Sequence, residues 1–359
     1  MKGKDTKMKP ELEKRCAEFI ANRDAVREAF RREDSAVYAV CANIFCARGR
    51  MADAERLKAC RKIIEGQTGF FSKFRGKTNP ILCSMLALAD DPDDRMALVN
   101  EYYNLLKQEF KDTEYLALAA FLLTDLGEKS RMAEKIARGK ELYRRMNKEH
   151  PVLTDNTDSV FAAMLAFSDR SDDELIGDVE ACYQALKERF SRSGAAQTSA
   201  QILAMAPGAP GEKTQRMIGL YDALTAADVK YGASSELAPL AALSLADAPV
   251  PALVEEICEA DEYLKGQKGY GSGREDREKR AMHAVMIVSD LYAGTGLVNS
   301  SVMTNTLDML IEKQVAMYIS LISNAVQFAA SALLSANESK DENENETREE
   351  TADESQPGK

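Results

Sequence analysis

The feature that most constrains this chain is a pair of helical segments that recurs about every forty residues. In the clearest copy, residues 158–190, an apolar alanine-rich segment is followed by a polar turn and an amphipathic segment. Related apolar segments end at six positions that are 35, 44, 38, 40 and 43 residues apart: Asp90, Asp125, Asp169, Pro207, Asp247 and Asp290. Two short helices cannot bury both of their apolar surfaces alone, so units of this kind stack on one another.

Each half of the unit has the pattern of a helix. Residues 160–167 are apolar on every side, which is typical of a helix in an interior. Ser171 and Glu174 then have the spacing of a capping box, in which each side chain binds the other residue's backbone amide. The second half places one apolar stripe along an otherwise charged helix: Ile176, Val179, Tyr183, Leu186 and Phe190.

The repeat therefore predicts an all-α fold, an array of six or seven antiparallel helical hairpins. The array is an α-solenoid or, alternatively, an α/α toroid. We expect 1–34 to form an N-terminal cap helix, 35–295 the hairpin repeats, 296–337 an apolar C-terminal helical segment, and 338–359 an acidic disordered tail. The first, apolar helix of each unit should be the more buried one, with four nearly inaccessible leucines: Leu86, Leu122, Leu165 and Leu203.

Charge and cysteine usage limit the partners and the compartment. The net charge of −11 disfavours general binding to nucleic acid or to an anionic membrane. Residues 338–359 contain nine acidic and three basic side chains and so supply −6 of that total. Seven cysteines, without a C-x-x-C pair, are expected to be buried free thiols of a cytoplasmic protein. The N-terminus is basic but lacks the apolar run of a signal peptide.

Residues 315–337 contain no charged side chain and are long enough to span a bilayer. Serine, asparagine and glutamine residues dilute their hydrophobicity, whereas membrane spans are usually more strongly apolar. We therefore favour a buried or partner-packed helix over membrane contact through this segment.

Five short motifs occur in an order that resembles a bacterial family, domain of unknown function number four thousand and three. They are F-S-x-F-R-G at 71–76, Y-L-A-L-A-A-F at 115–121, H-P-x-L-T at 150–154, D-S-V-F-A-A at 158–163 and L-K-G-Q-K-G-Y at 264–270. The resemblance covers about 29–292. It implies a protein of low-GC Gram-positive bacteria and supplies no catalytic residue.

Two clusters offer metal ligands, and each has a structural alternative. The run 90–94 matches D-D-x-x-D, which can chelate magnesium, but Asp91 as a helix N-cap followed by Pro92 explains it better. His283 in an apolar helix could join Cys258 and Asp261 at zinc, but no close ligand pair supports that site, and a core histidine with satisfied hydrogen bonds explains it better. A nucleotide-binding loop and a nucleophile elbow are also missing from the sequence. We therefore predict no catalytic residue, metal or cofactor.

Two turns share the pattern G-Q-x-G-aromatic, at 66–70 and 266–270. The first one leads into three phenylalanines and an arginine, in a chain that is otherwise poor in aromatic residues. Exposed aromatics beside a guanidinium are favoured at recognition surfaces. The alternative is that the aromatics only fill the gap between two hairpins. The candidate binding residues are Gln67, Phe70, Phe71, Phe74, Arg75, Gln267 and Tyr270.

The repeat and the missing catalytic motifs together favour a non-catalytic scaffold that binds a protein or peptide partner. The alternative is an enzyme of α/α-toroid type, with a layout like that of prenyltransferases and terpenoid cyclases, acting on an unidentified small molecule. The shape of the array separates the two hypotheses. An open arc favours the scaffold, and a closed ring with polar groups around a central cavity favours the enzyme.

Overall fold

The computed structural model describes residues 8–292 except 34, 127–128, 152–153 and 155–157. These residues form fourteen α-helices and two short 3-10 helices, and they contain no strand. The all-α prediction is confirmed. The α-helices are α1 (Pro10–Ala29), α2 (Ser35–Ala47), α3 (Ala54–Gln67), α4 (Asn79–Ala87), α5 (Pro92–Glu109), α6 (Glu114–Leu123), α7 (Met132–Glu149), α8 (Asp158–Leu165), α9 (Asp172–Arg189), α10 (Ser193–Met205), α11 (Pro210–Ala226), α12 (Leu237–Ser244), α13 (Val250–Lys265) and α14 (Arg274–Tyr292). The 3-10 helices are Lys73–Arg75 and Lys129–Arg131.

The helices form two layers, and apolar patterning decides which layer each helix joins. Even-numbered helices α2 to α12 are apolar on nearly every side and lie in the inner layer, where α6 is buried from Tyr115 to Leu123. Odd-numbered helices bury one stripe against this layer and expose a charged face, as α9 does. The expected difference in burial is confirmed by four inner-layer leucines that are at most 1% exposed: Leu86, Leu122, Leu165 and Leu203.

The array closes into a ring. Each inner helix contacts the next inner helix, each outer helix contacts the next outer helix, and the last pair returns to the first through contacts of α13 with α1 and of α14 with α2. At this seam the Lys9 ammonium donates to the Glu256 carboxylate at 2.5 Å. The arrangement is therefore the α/α toroid, with seven hairpins, and α1 occupies an outer position between α3 and α13 where the sequence suggested a terminal cap.

The hairpin partners follow from the same contacts. Each outer helix packs closely on the inner helix that follows it, so α1 pairs with α2 and α13 with α14. Because the paired helices are antiparallel, the outer-to-inner connections lie at one end of the ring and the inner-to-outer turns at the other. The connections 68–78 and 266–273 both belong to the first end.

Local signals at the helix starts behave as the sequence predicts. Ser171 and Glu174 form a complete capping box at α9. Asp91 accepts from the amides of Asp93 and Asp94 at 3.0 Å each, and Pro92 begins α5. The D-D-x-x-D run is thus a helix cap, because the Asp91 carboxylate is used by the backbone.

Six of the seven cysteines are buried free thiols, and Cys258 is half-buried. No helix within residues 8–292, as far as they are described, combines the length and the apolar character that a membrane span needs. The segments 296–337 and 338–359, including the uncharged run 315–337, lie outside the described residues.

Candidate functional site

The connection from α3 to α4 is held at its base by Arg75. Its guanidinium donates to the carbonyl oxygens of Glu65 and Thr68, the latter at 2.8 Å. Carbonyl groups in the last turn of a helix have no partner within the helix, and a cation there is also attracted to the negative end of the helix dipole. Arg75 therefore ties the connection to the end of α3.

Phe74 fixes the same connection from below. Its side chain is buried, and its ring lies 4.7 Å from that of Tyr103 and 6.2 Å from that of Phe121, in edge-to-face geometry. Such pairs add about 0.5–1.5 kcal/mol beyond area burial. Phe74 thus behaves as the gap-filling alternative expects and anchors the connection on the third hairpin, formed by α5 and α6.

Phe70 and Phe71 behave in the opposite way. They are 77% and 93% exposed, and Met51 is the other large hydrophobic residue in the described ranges with an exposed side chain. The two rings meet edge to face, with centroids 5.1 Å apart. The Arg75 guanidinium lies 6.0 Å from the centroid of the Phe70 ring. An apolar pair is therefore held in solvent on an anchored connection.

The remaining candidate residues are used inside the fold. Gln67 donates from its side-chain amide to the Asp93 carboxylate at 3.0 Å, joining α3 to the start of α5. Gln267 is half-buried and closes the end of α13 through its backbone amide, which donates to the Leu264 carbonyl at 2.8 Å. No hydrogen bond, ion pair or ring contact in the described part of the chain joins 66–76 to 266–273. The two similar turns do not form one site.

Tyr270 belongs to a buried cluster at the ring seam. Its hydroxyl lies 2.8 Å from Nδ1 of His283, and the Arg23 guanidinium stands 5.5 Å from its ring centroid. Burial lowers the pKa of His283 to about 3 and raises the pKa of Tyr270 to about 12. Both side chains are therefore neutral near pH 7.

The zinc alternative does not match this geometry. Asp261 accepts two hydrogen bonds from Arg280, at 2.8 and 2.9 Å, so its carboxylate is already paired. No group of three or more His, Cys, Asp or Glu side chains suited to hold a metal occurs among the described residues.

A basic pocket of about 410 Å³ between α1 and α3 has no counterpart in the sequence analysis. The pocket's sign in the sequence is the pair of adjacent arginines just after α1. Basic residues are common at the C-terminal end of any helix, so this pair alone does not indicate a pocket. Their meeting with α3 depends on the ring geometry. Four cations line the pocket: Arg31, Arg32, Lys58 and Arg61.

Comparisons with known proteins give a family and no activity. A search of curated proteins finds no match, and neither does a search of solved structures. The family model described as "Protein of unknown function (DUF4003)" matches residues 22–316, which include the C-terminal part of α1 and every later helix of the ring. The chain therefore belongs to the DUF4003 family.

Proposed function

We propose that this protein is a non-catalytic binding module, in which a rigid helical ring presents Phe70 and Phe71 to a partner protein. The observation that carries the proposal is the exposure of both rings on an anchored connection. Burying apolar surface stabilises a complex by roughly 25 cal/mol per Å², and aromatic anchors dominate many interfaces.

The anchoring of the connection supports this role. Association loses free energy when a mobile segment must be ordered, and a preorganised one avoids that loss. Arg75 and Phe74 hold the segment before any partner arrives.

The chemistry of the segment favours a partner with an apolar cleft for two aromatic rings. Lys73, which is exposed beside them, favours an acidic rim around that cleft.

The second candidate is an enzyme of α/α-toroid type that acts on a small molecule, and closure of the ring favours it. This candidate predicts that a small molecule raises the melting temperature of the wild type and of a Phe70→Ser/Phe71→Ser variant equally. The binding-module proposal predicts that the same double substitution removes the protein's interaction.

The test compares wild type, Phe70→Ser/Phe71→Ser and a Met51→Ser control as baits in extracts of the native host, followed by titration of the purified partner. All three baits should fold equally well, because changes at exposed sites usually shift the free energy of unfolding by less than about 0.5 kcal/mol. We expect wild type and Met51→Ser to retain the same partner and the double variant to bind it at least tenfold more weakly. Equal affinity of the double variant would contradict the proposal.

A further inference from the structure

The basic pocket between α1 and α3 carries positive charge that the fold does not neutralise. Arg61 is engaged, since it donates to Asn79 at 3.1 Å, pairs with Glu33 at 3.8 Å and lies over the Phe30 ring. Lys58 has a neighbour on its own helix, Glu55 at 2.7 Å.

Arg31 and Arg32 complete the pocket, and neither has an ion pair with any described residue. Both are exposed, whereas Arg61 and Lys58 are half-buried behind them. The lining also includes the carboxylates of Glu28 and Glu33. Counted with Glu55, which pairs with Lys58, the four cations face three carboxylates, so the net charge around the open cleft is +1.

This positive cleft is a local exception on an acidic protein. The whole chain has a net charge of −11, of which residues 338–359 supply −6, so the remainder is at −5. Charges in solvent are screened over about 8 Å at physiological ionic strength. An anionic segment is therefore attracted to this cleft at close range while the rest of the surface repels it weakly.

The chain's own acidic end can reach the cleft. Tyr292 ends α14, and residues 293–337 provide a 45-residue tether before the acidic run begins. The cleft lies beside the C-terminal end of α1, a helix about 30 Å long at 1.5 Å per residue. A stretch of 45 residues is long enough to cover that distance even at the roughly 1.5 Å per residue of a helix, and longer still at the roughly 3.3 Å per residue of an extended chain. Tethering also raises the effective concentration of a segment near a site on the same chain.

We propose that the acidic residues 338–359 bind the cleft formed by Arg31, Arg32, Lys58 and Arg61 of the same chain. The carboxylates of the segment pair with the two exposed arginines at the mouth and with the Lys58 ammonium inside. This inference is independent of the proposed partner at Phe70 and Phe71.

Zero-length carbodiimide coupling of the full-length protein tests it, because that reaction joins an amine only to a carboxylate in contact with it. Peptide mapping of the monomeric band should show Lys58 joined to peptides from 338–359. Coupling of Lys58 to Glu55 on the same helix serves as the internal reference. We expect the ratio of tail product to this reference to fall at least fivefold in Arg31→Glu/Arg32→Glu.

The same ratio should fall severalfold in the wild type at about 0.5 M salt, where the screening length is only a few Å. That measurement does not depend on the folding of a variant. The proposal would be overturned by the absence of tail product on Lys58, by a ratio unchanged after charge reversal, or by tail product confined to a dimeric band.

Discussion

Arg138 of α7 donates to the carbonyl oxygen of Ala166, just past the end of α8, at 3.0 Å. The same guanidinium also reaches the carbonyls of Ser168 and Arg170. An outer helix thus supplies the partners that the last carbonyls of its inner helix lack. The contact recurs in two other hairpins, from Arg56 to Ala87 at 2.6 Å and from Arg216 to Ser244 at 2.6 Å.

Replacing Arg138 by Met should lower the free energy of unfolding by about 2–3 kcal/mol, because hydrogen bonds to charged groups contribute about 1.5–3 kcal/mol and the apolar stem is kept. Urea denaturation measures the change. Arg144→Met on the same helix is the matched control, since Arg144 is exposed and forms its ion pair with nearby Glu141. That control should stay within about 0.5 kcal/mol. Equal losses of unfolding free energy in the two variants would show that the carbonyl contacts of Arg138 stabilise the fold no more than an exposed ion pair does.

Leu165→Ala should lower the free energy of unfolding by about 2–5 kcal/mol, because it opens a cavity where the side chain is 1% exposed. Denaturant titration gives the value. Met51→Ala is the control, with a side chain 57% exposed and an expected change below about 0.5 kcal/mol. A loss at Leu165 as small as that of the control would be inconsistent with an inner layer of buried helices.

Gly139 sets the spacing between α7 and α8. A Cβ at this position would lie 3.1 Å from Cα of Ala163 and 3.2 Å from the carbonyl oxygen of Ala162. Gly139→Val should therefore cost about 1–3 kcal/mol of stability, as overpacking does. Gly177→Val on α9 has open space around its Cβ and should change stability by less than about 0.5 kcal/mol. Thermal unfolding of the two valine variants tests this expectation. Similar melting temperatures would argue against a close approach of α7 to α8 at Gly139.

Asp290 links stability to pH at the ring seam. The residue is 5% exposed, and burial raises the pKa of its carboxyl group well above the usual value, with Arg15 opposing the shift only in part. An unfolded chain releases this proton near pH 4 while the folded chain retains it, so the contribution to stability is lost as the pH rises. Asp290→Asn should therefore stabilise the protein increasingly as the pH rises above 5, by up to about 1.4 kcal/mol per pH unit until the folded carboxyl group also ionises.

His283 has the opposite dependence on pH. Its pKa is lowered to about 3 from an ordinary 6.5, so its contribution is complete above pH 6.5 and is lost as the pH falls below that value. Between pH 4 and 6.5 the slopes of the two residues oppose each other, so their joint contribution to stability should vary less than that of either residue alone. Urea titrations at half-unit intervals check both residues. Asp222→Asn is the exposed control, and a profile for Asp290→Asn parallel to that of the control would refute the assignment.

The sequence predicts best what depends on local pattern. The burial of Leu165 and the cap at Asp91 follow from helical periodicity and from residues within one turn. The use of Arg75 to close α3 was not predictable, because a loop arginine has the same sequence signal whether it binds a carbonyl or a ligand. The exposure of Phe71 was one of two open alternatives, since a sequence does not show which aromatics of a cluster fit inside.

Closure of the ring was the least predictable feature. It depends on the sum of small rotations between successive hairpins, and no single segment encodes that sum. Closure of the ring places Lys9 beside Glu256, which is 247 residues away along the chain.

Carbodiimide coupling at the seam tests the central claim, the closed ring, most directly. Nζ of Lys9 and Oε1 of Glu256 are 2.5 Å apart, and Lys265 with Glu262 at 2.9 Å on α13 provides a positive control in the same digest. The closed ring predicts a monomeric product in which the Lys9 peptide is joined to the Glu256 peptide and which disappears in Lys9→Arg. Coupling of Lys265 to Glu262, together with reaction of Glu256 with a small amine added to the mixture and no product between Lys9 and Glu256, would contradict a closed ring.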